Sequence, residues 1–412
     1  MNNGRWFLFF VMTCTFLMPL RGVYSSDALI VGPLDFSDGL GKIAYGIVDQ
    51  VGEVLRIGYH KRIPFGFGDD PLQIRQRIVF AATFDEAPVA MYLYSLLDEY
   101  TDVFCQNVPA HTLKIAYSMF EGSAVAPEAV KKINTYFDMV AVPDPYYVDV
   151  YKKSGVMKPI FCIPTGLPLE DLLVRSVKIE CKKPFTFGCA ATNIARKNLK
   201  KLVDAFYRRY GNNPDFQLKL KVKKYANLLN EDTLEEYIDA LKVTNVQVIT
   251  DDLEAKAYAD FLYSLDCYVL LSTGEGFSNT PREALALGIP CIITNNTGHI
   301  TLCDSGFVVP VECPDEIPAR YELLHLTVGK QFDCRVPDVI IAMEEVVQHY
   351  DEHKQKALQG REWVKQYLWP ALHDQYVTLL RPEQVKMAQE NMLNASTKTL
   401  YTNDKILYEK WQ

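Results

Sequence analysis

Two consecutive series of short apolar runs, each run followed by a stretch with helical spacing, constrain this chain more than any other feature. The first series opens at residues 28–33 (ALIVGP), a run that ends in turn residues and reads as a buried parallel strand. A glycine-bearing loop, 35–41, and a helical stretch, 42–51, follow it. Further strand-like runs lie at 77–82, 139–142 and 159–163, and helical stretches at 127–136 and 146–154 separate the later ones. The second series begins at Pro184. Its predicted strands are 185–189, 217–222, 246–250, 267–271 and 290–294, alternating with predicted helices at 199–209, 233–241, 254–264 and 281–287. Regular alternation of this kind implies parallel sheets covered on both faces by helices.

The length agrees. At 412 residues the chain is too long for one ordinary core and suits two domains of roughly 150–200 residues each. The predicted fold class is α/β, with two Rossmann-like doubly wound domains facing across a cleft. The expected divisions are a leader at 1–26, a first domain at 27–168, a connection at 169–183 and a second domain at 184–345. C-terminal helices at 346–385 and a polar tail at 386–412, poor in apolar anchors, complete the chain. Helical spacing runs over 337–367 and should break at Trp369-Pro370. Two doubly wound domains in tandem place a ligand in the cleft between them, at the C-terminal ends of the strands.

A net charge of -8 excludes a general nucleic-acid binder, which needs clustered cations to neutralise phosphates. Residues 1–26 stand apart: Arg5 precedes the apolar run from Trp6 to Leu20. That run is short for a membrane span of about 20 residues. It reads as a signal-peptide core with Val23-Tyr24-Ser25 as a cleavage site, or as a signal anchor or membrane foot. Either reading predicts a secretory, endomembrane or membrane-associated location. The ten cysteines pull the other way. Cys162, Cys189, Cys267 and Cys291 fall in apolar strand-like runs and form no dense disulfide framework, so they do not require an oxidising compartment.

The chemistry concentrates in residues 272–290 (STGEGFSNTPREALALGIP), where seven residues separate Glu275 from Glu283 across a turn that leads into a helix. Acidic oxygens at this spacing suit sugar and ribose hydroxyls. A helix N-terminus supplies N–H groups and a favourable dipole to a diphosphate. Gly274 and Gly276 are expected to let a ligand approach the backbone.

This stretch resembles the E-x7-E signature of retaining GT-B glycosyltransferases of the group 1, or family 4, type. The resemblance extends in order through 117–122 (YSMFEG), 137–143, 154–166, 192–198 (TNIARKN), 296–299 and 305–310, and covers roughly residues 28–380. It implies the GT-B fold with a C-terminal helix returning toward the first domain. The donor would be a UDP- or GDP-sugar bound by the second domain. The acceptor, a glycan, lipid or protein, would be bound by the first. It also implies that Glu275 contacts donor-sugar hydroxyls, that Glu283 contacts the ribose, and that amides around Phe277, Ser278, Asn279 and Thr280 face sugar and phosphates. Glu121 matches a family position and joins Glu275 as a candidate catalytic residue.

Arg196 and Lys197 open the helix after the first strand of the second domain, where a diphosphate would meet two cations. Gly39 and Gly41 sit in the loop that approaches donor and acceptor in the family, with Asp35 and Asp38 as acceptor contacts or turn residues. His111 is a further polar candidate facing the cleft. Two departures from the family pattern stand out: no arginine lies at 192–195, and Thr165 replaces a common histidine. No D-x-D triplet and no metal-ligand spacing of Cys and His occurs, so the expectation is a metal-independent enzyme without cofactor. The rival reading is a non-catalytic relative that binds nucleotides or glycans. Of the sequons at Asn295 and Asn394, the first lies beside the donor site, where a glycan would block the cleft, so the second, in the tail, is the expected acceptor if the chain enters a secretory pathway.

Overall fold

The computed structural model describes residues 26–32, 39–52, 57–61, 79–80, 87–93, 99–178, 181, 183–223, 234–321 and 325–394. The apolar run from Trp6 to Leu20, Asp35, Asp38 and residues 395–412 lie outside the described residues. Among the described residues no helix is long and apolar enough to cross a membrane.

The chain forms two parallel sheets. The first holds β1 (Ala28–Gly32), β2 (Ile57–Lys61), β3 (Val79–Phe80), β4 (Val89–Tyr92), β5 (Leu113–Tyr117), β6 (Met139–Val142) and β7 (Ile160–Cys162). Their spatial order is β3-β2-β1-β4-β5-β6-β7. The second holds β8 (Phe185–Thr192), β9 (Phe216–Lys223), β10 (Val246–Ile249), β11 (Cys267–Leu270), β12 (Cys291–Asn295) and β13 (Val309–Glu312), in the order β10-β9-β8-β11-β12-β13. Strand order therefore reverses between β1 and β4 in one sheet and between β8 and β11 in the other, which are the switch points where doubly wound folds bind ligands. The central strands are continuous apolar runs, MVAV in β6 and CYVL in β11, because helices cover both of their faces. The Leu199–Tyr210 helix shows the matching periodicity: Leu199, Leu202, Val203, Phe206 and Tyr210 are all buried on one stripe.

The helical stretch expected at 337–367 is two helices, Val336–Gln348 and Tyr350–Trp363, continued by a 3-10 turn, Val364–Tyr367. The backbone then turns extended at Leu368 (φ -60°, ψ 141°) and a new helix, Trp369–Leu379, starts with Pro370 in its first turn, where its missing N–H is harmless. This helix returns to the first domain. Trp369, Leu372, Tyr376 and Val377 join Ile43, Ala44 and Ile47 in one buried cluster. Gly46 and Gly166 make room for it, since a Cβ at either would overlap the Trp369 indole. The polar tail expected from residue 386 begins later. A helix, Pro382–Asn394, continues past it, anchored by the fully buried Val385 and by a 3.1 Å bond from Gln389 Nε2 to Asp138 Oδ1.

Strands β2, β4 and β5 lie outside the strand-like runs read from the sequence, and so does a further element at the edge of the second domain. β14 (Asp315–Tyr321) and β15 (Leu326–Asp333) form an antiparallel hairpin with a register shift between Pro318 and Arg320. It leaves the second domain and lies against the first. Ser123 N donates to Lys330 O (2.9 Å), and Lys330 N donates to Ser123 Oγ (2.9 Å). The Tyr321 ring meets Phe120 edge-on at 5.8 Å, and Leu326 and Val328 pack on the first domain's core. The hairpin is half-buried and mostly polar, so no apolar run announces it.

Candidate functional site

Glu275 follows β11 in the turn that leads to the Asn279–Ala286 helix, beside the switch point of the second sheet. The 3-10 turn Ala195–Lys197, after the neighbouring β8, carries two cations toward it. Lys197 Nζ ion-pairs with Glu275 Oε1. Arg196 Nη1 lies 3.0 Å from the same oxygen and also donates to Gly274 O, while Nη2 reaches Glu121 Oε1 of the first domain at 3.4 Å. The two turns are fastened together by Thr273 N to Arg196 O (2.9 Å) and by Asn198 Nδ2 to Leu271 O (2.9 Å). Glu275 is only 6% exposed. Burial opposes its ionisation, but Arg196, Lys197 and His299 together outweigh that and hold the carboxyl well below the usual carboxylate range. Its other oxygen, Oε2, takes no hydrogen bond from a described residue.

Side-chain hydrogen bonds cross the cleft here. Tyr147 Oη, on the first-domain helix Pro145–Lys153, donates to Glu275 O at 2.5 Å. Gln331 of the hairpin links Thr273 Oγ1 (2.9 Å) to Glu121 O (2.9 Å). These contacts add to one expectation. Gly274 and Gly276 are small for the other domain's sake as well. A Cβ on Gly274 would overlap Glu121 O, and one on Gly276 would stand 2.8 Å from Met119 Sδ. Both glycines let the two domains close. Gly274→Ala is therefore expected to lower stability by about 1–3 kcal/mol, the usual range for overpacking. Equilibrium urea unfolding measures it, and an unchanged midpoint would show that the hairpin and residues 119–121 yield freely.

The helix after Glu275 holds the second carboxylate. Tyr258 Oη donates to Glu283 Oε2 (2.6 Å), and Tyr268 Oη donates to Thr280 Oγ1 (2.6 Å). Asn279 opens this helix and is half-buried. The Phe277 ring is buried against the Arg282 guanidinium, 3.8 Å from its centroid, so Phe277 can offer a ligand only its backbone. Ser278 Oγ lies 2.8 Å from His299 Nε2. Burial pushes His299 down to about 4, so it is neutral at physiological pH. Asn198 (φ 52°), Ser278 (φ 69°) and Thr297 (φ 44°) are non-glycine residues in the left-handed region, all in turns bonded to the Glu275 segment. Such strain gathers where function fixes the backbone.

Glu275, Glu121, Arg196 and Lys197 thus form one cluster, with Ser278 and Glu283 on the adjoining turn and helix. Gly39 and Gly41 begin the Gly39–Val51 helix after β1, and no hydrogen bond or ion pair among the described residues ties them to Glu275. His111 does not face the cleft. It is exposed in the turn before β5, whereas residues 118–121, which touch the site, follow the strand's other end. At about 3.3 Å per residue the strand itself separates them. Thr165 is buried within the first domain, its Oγ1 3.2 Å from Tyr117 Oη. Four residues escaped the sequence reading: Tyr147, Tyr258, His299 and Gln331. His299 lies in a quoted motif segment, but the other three carry no local signal.

Residues 175–323, which include both glutamates, match the family model described as "Glycosyl transferases group 1". Comparison with curated proteins gives no match. Among solved structures, Anabaena HepE in complex with UDP and glucose superposes with a TM-score of 0.65 at 12% identity, covering 86% of this chain and 98% of that one. Sucrose-phosphate synthase from Thermosynechococcus elongatus gives 0.63 at 14% identity over 86% and 98%. The E. coli trehalose-6-phosphate structure bound with UDP-2-fluoro glucose gives 0.61 at 9% identity over the same shares. At such identities the likeness establishes the fold, which is GT-B. The family match over the cluster-bearing domain adds the class: the chain is an enzyme of the glycosyltransferase kind, with a group 1 domain over residues 175–323.

Proposed function

We propose that the protein transfers a sugar from a UDP- or GDP-sugar to a glycan, lipid or protein acceptor, with retention of anomeric configuration and without a metal, and that Glu275 and Glu283 are an E-x7-E pair of the family 4 type. The observation that carries this reading is Glu275, a buried carboxylate kept ionised by Lys197 and Arg196 with one oxygen left to accept from a sugar hydroxyl. Neighbours of the same fold hold UDP, glucose or a UDP-glucose analogue, which supports a nucleotide-sugar donor.

The roles divide by the partners each group already has. Glu275 orients the donor sugar. Glu283, with one oxygen on Tyr258, offers the other to the ribose. Lys197, partnered among the described residues by Glu275, moves toward the leaving diphosphate. It shares that charge with the Asn279–Ala286 helix N-terminus, and preorganised donors of this kind stabilise the departing group. Arg196, through Gly274, Glu275 and Glu121, joins the two domains around the donor, and its remaining N–H donors are left for the phosphates. Glu121 brings the first domain's carboxylate to the edge of the same cluster, where an acceptor hydroxyl would approach.

A thermal-shift panel of UDP, GDP, ADP and their sugar conjugates, with and without EDTA, tests the proposal. One nucleotide is expected to stabilise the protein, by about 2.7 kcal/mol at a hundredfold excess over Kd. The shift should be insensitive to EDTA and lost in Glu283→Ala. No shift with any nucleotide would favour the non-catalytic reading, and a shift abolished by EDTA would overturn metal independence.

A further inference from the structure

Ser278 immediately precedes the Asn279–Ala286 helix with φ 69° and ψ 82°, a backbone conformation natural to glycine that other residues keep only when held. A serine before a helix ordinarily has extended backbone, and its hydroxyl accepts a hydrogen bond from the amide of the second or third helical residue. Here the third residue is Pro281, which has no N–H, so the capping target is the Thr280 amide. No side-chain cap is made.

The hydroxyl goes to His299 instead, 2.8 Å from Nε2. The direction of that bond follows from the histidine's other nitrogen. Nδ1 lies 3.0 Å from Thr294 O and 3.2 Å from Thr294 Oγ1. The Thr294 hydroxyl gives its proton to Ser272 O at 2.7 Å, and a carbonyl only accepts. Nδ1 therefore carries the hydrogen, and Nε2 accepts from Ser278. His299 is fully buried and fixed on the turn Thr297–His299, where Gly298 N donates to Glu275 O at 3.0 Å.

We infer that His299 is a positioning residue for donor binding: by holding Ser278 in the left-handed conformation it keeps the serine hydroxyl off the helix N-terminus and leaves the Asn279 and Thr280 amides to a nucleoside diphosphate. The inference rests on the functional reading above, which places the leaving diphosphate at this helix. Without His299, Ser278 relaxes to extended backbone, caps its own helix and competes with the ligand. Glycine at 278 supplies the same conformation without strain and has no hydroxyl to compete, so it should make His299 dispensable.

The test is calorimetric titration of the full chain with UDP, GDP and ADP, using for the variants whichever binds the wild type most tightly. His299→Leu is expected to weaken that nucleotide about tenfold, the size of one cap interaction. Ser278→Gly alone, which keeps the residue's amide, is the reference for the double variant. The double variant Ser278→Gly/His299→Leu is expected to bind within about threefold of that reference. A double variant as weak as His299→Leu, or a His299→Leu variant that binds normally, overturns the inference. If His299→Leu fails to fold, His299→Asn and its double variant with Ser278→Gly take its place and are read in the same way. A wild type that binds none of the three nucleotides overturns the functional reading and this inference with it, whereas a wild type that binds without rescue overturns this inference alone.

Discussion

Glu275→Gln is expected to lower kcat/KM for the nucleotide-sugar by about 10²–10³-fold, the usual loss on removing one preorganised electrostatic group from an active site. The same change should destabilise the protein by about 3–5 kcal/mol, because glutamine leaves the cations buried without their counter-charge. Shape is not the cause, since glutamine fills the same space. The side chains of Arg196 and Lys197 are 17% and 16% exposed, so water cannot replace the carboxylate fully.

The pH dependence has a definite sign. Glu275's folded carboxyl is depressed, so its contribution is complete above the unfolded value of 4.5 and is lost as pH falls toward the folded value. The stability gap between wild type and variant should therefore be full at neutral pH and shrink under acid conditions. His299, neutral in the folded state down to about 4 against an ordinary 6.5, also costs stability as pH falls through that window. His299 faces Glu275, so the two titrations are coupled and the variant's acid response includes both. Urea titrations at neutral and acid pH, paired with initial rates, measure both effects. Equal stability of the two proteins at neutral pH would mean that the cations are solvated and that the cluster is not an ion-pair core.

Trp369→Ala is expected to remove about 3–5 kcal/mol from the first domain, the usual loss for emptying a buried aromatic site. The indole is 7% exposed, seated over Gly46 and Gly166, and 5.6 Å from the Tyr376 ring. Neither glycine has a side chain that could collapse into the space, so the cavity should persist. The residue also decides where the returning helix docks. The second domain has a separate core, built around Phe187, Leu270 and Ile292. Urea unfolding followed by circular dichroism should therefore change from one transition to two, the first domain melting earlier. A loss below about 1 kcal/mol would mean that the Trp369–Leu379 helix is an ornament on the first domain and not part of its core.

Much of this architecture was legible in the order of residues because the signals are local. A strand covered on both faces must be apolar throughout, and runs such as MVAV and CYVL say so without any partner in view. The break before Trp369-Pro370 is local too, as is the spacing of Glu275 and Glu283. The hairpin at 315–333 was invisible for the complementary reason. Its residues alternate only weakly, and what holds it, Ser123, Phe120 and Ala124, lies about two hundred residues earlier in the chain.

By itself the sequence determined two doubly wound sheets, a candidate donor loop with two carboxylates and a pair of cations after β8, since each depends on spacing within one segment. Only the tertiary structure decided what those groups do to one another. Arg196 reads in sequence as a phosphate ligand, and in space it also bridges Glu275 and Glu121 across the domains. Gly274 and Gly276 read as room for a ligand, and in space they are also room for the other domain. His111 reads as a cleft residue, yet β5 carries it to the far end of the sheet. The physical reason is common to all three: a side chain's role depends on the charges and surfaces within a few ångströms of it, and in a two-domain fold those come from distant parts of the chain.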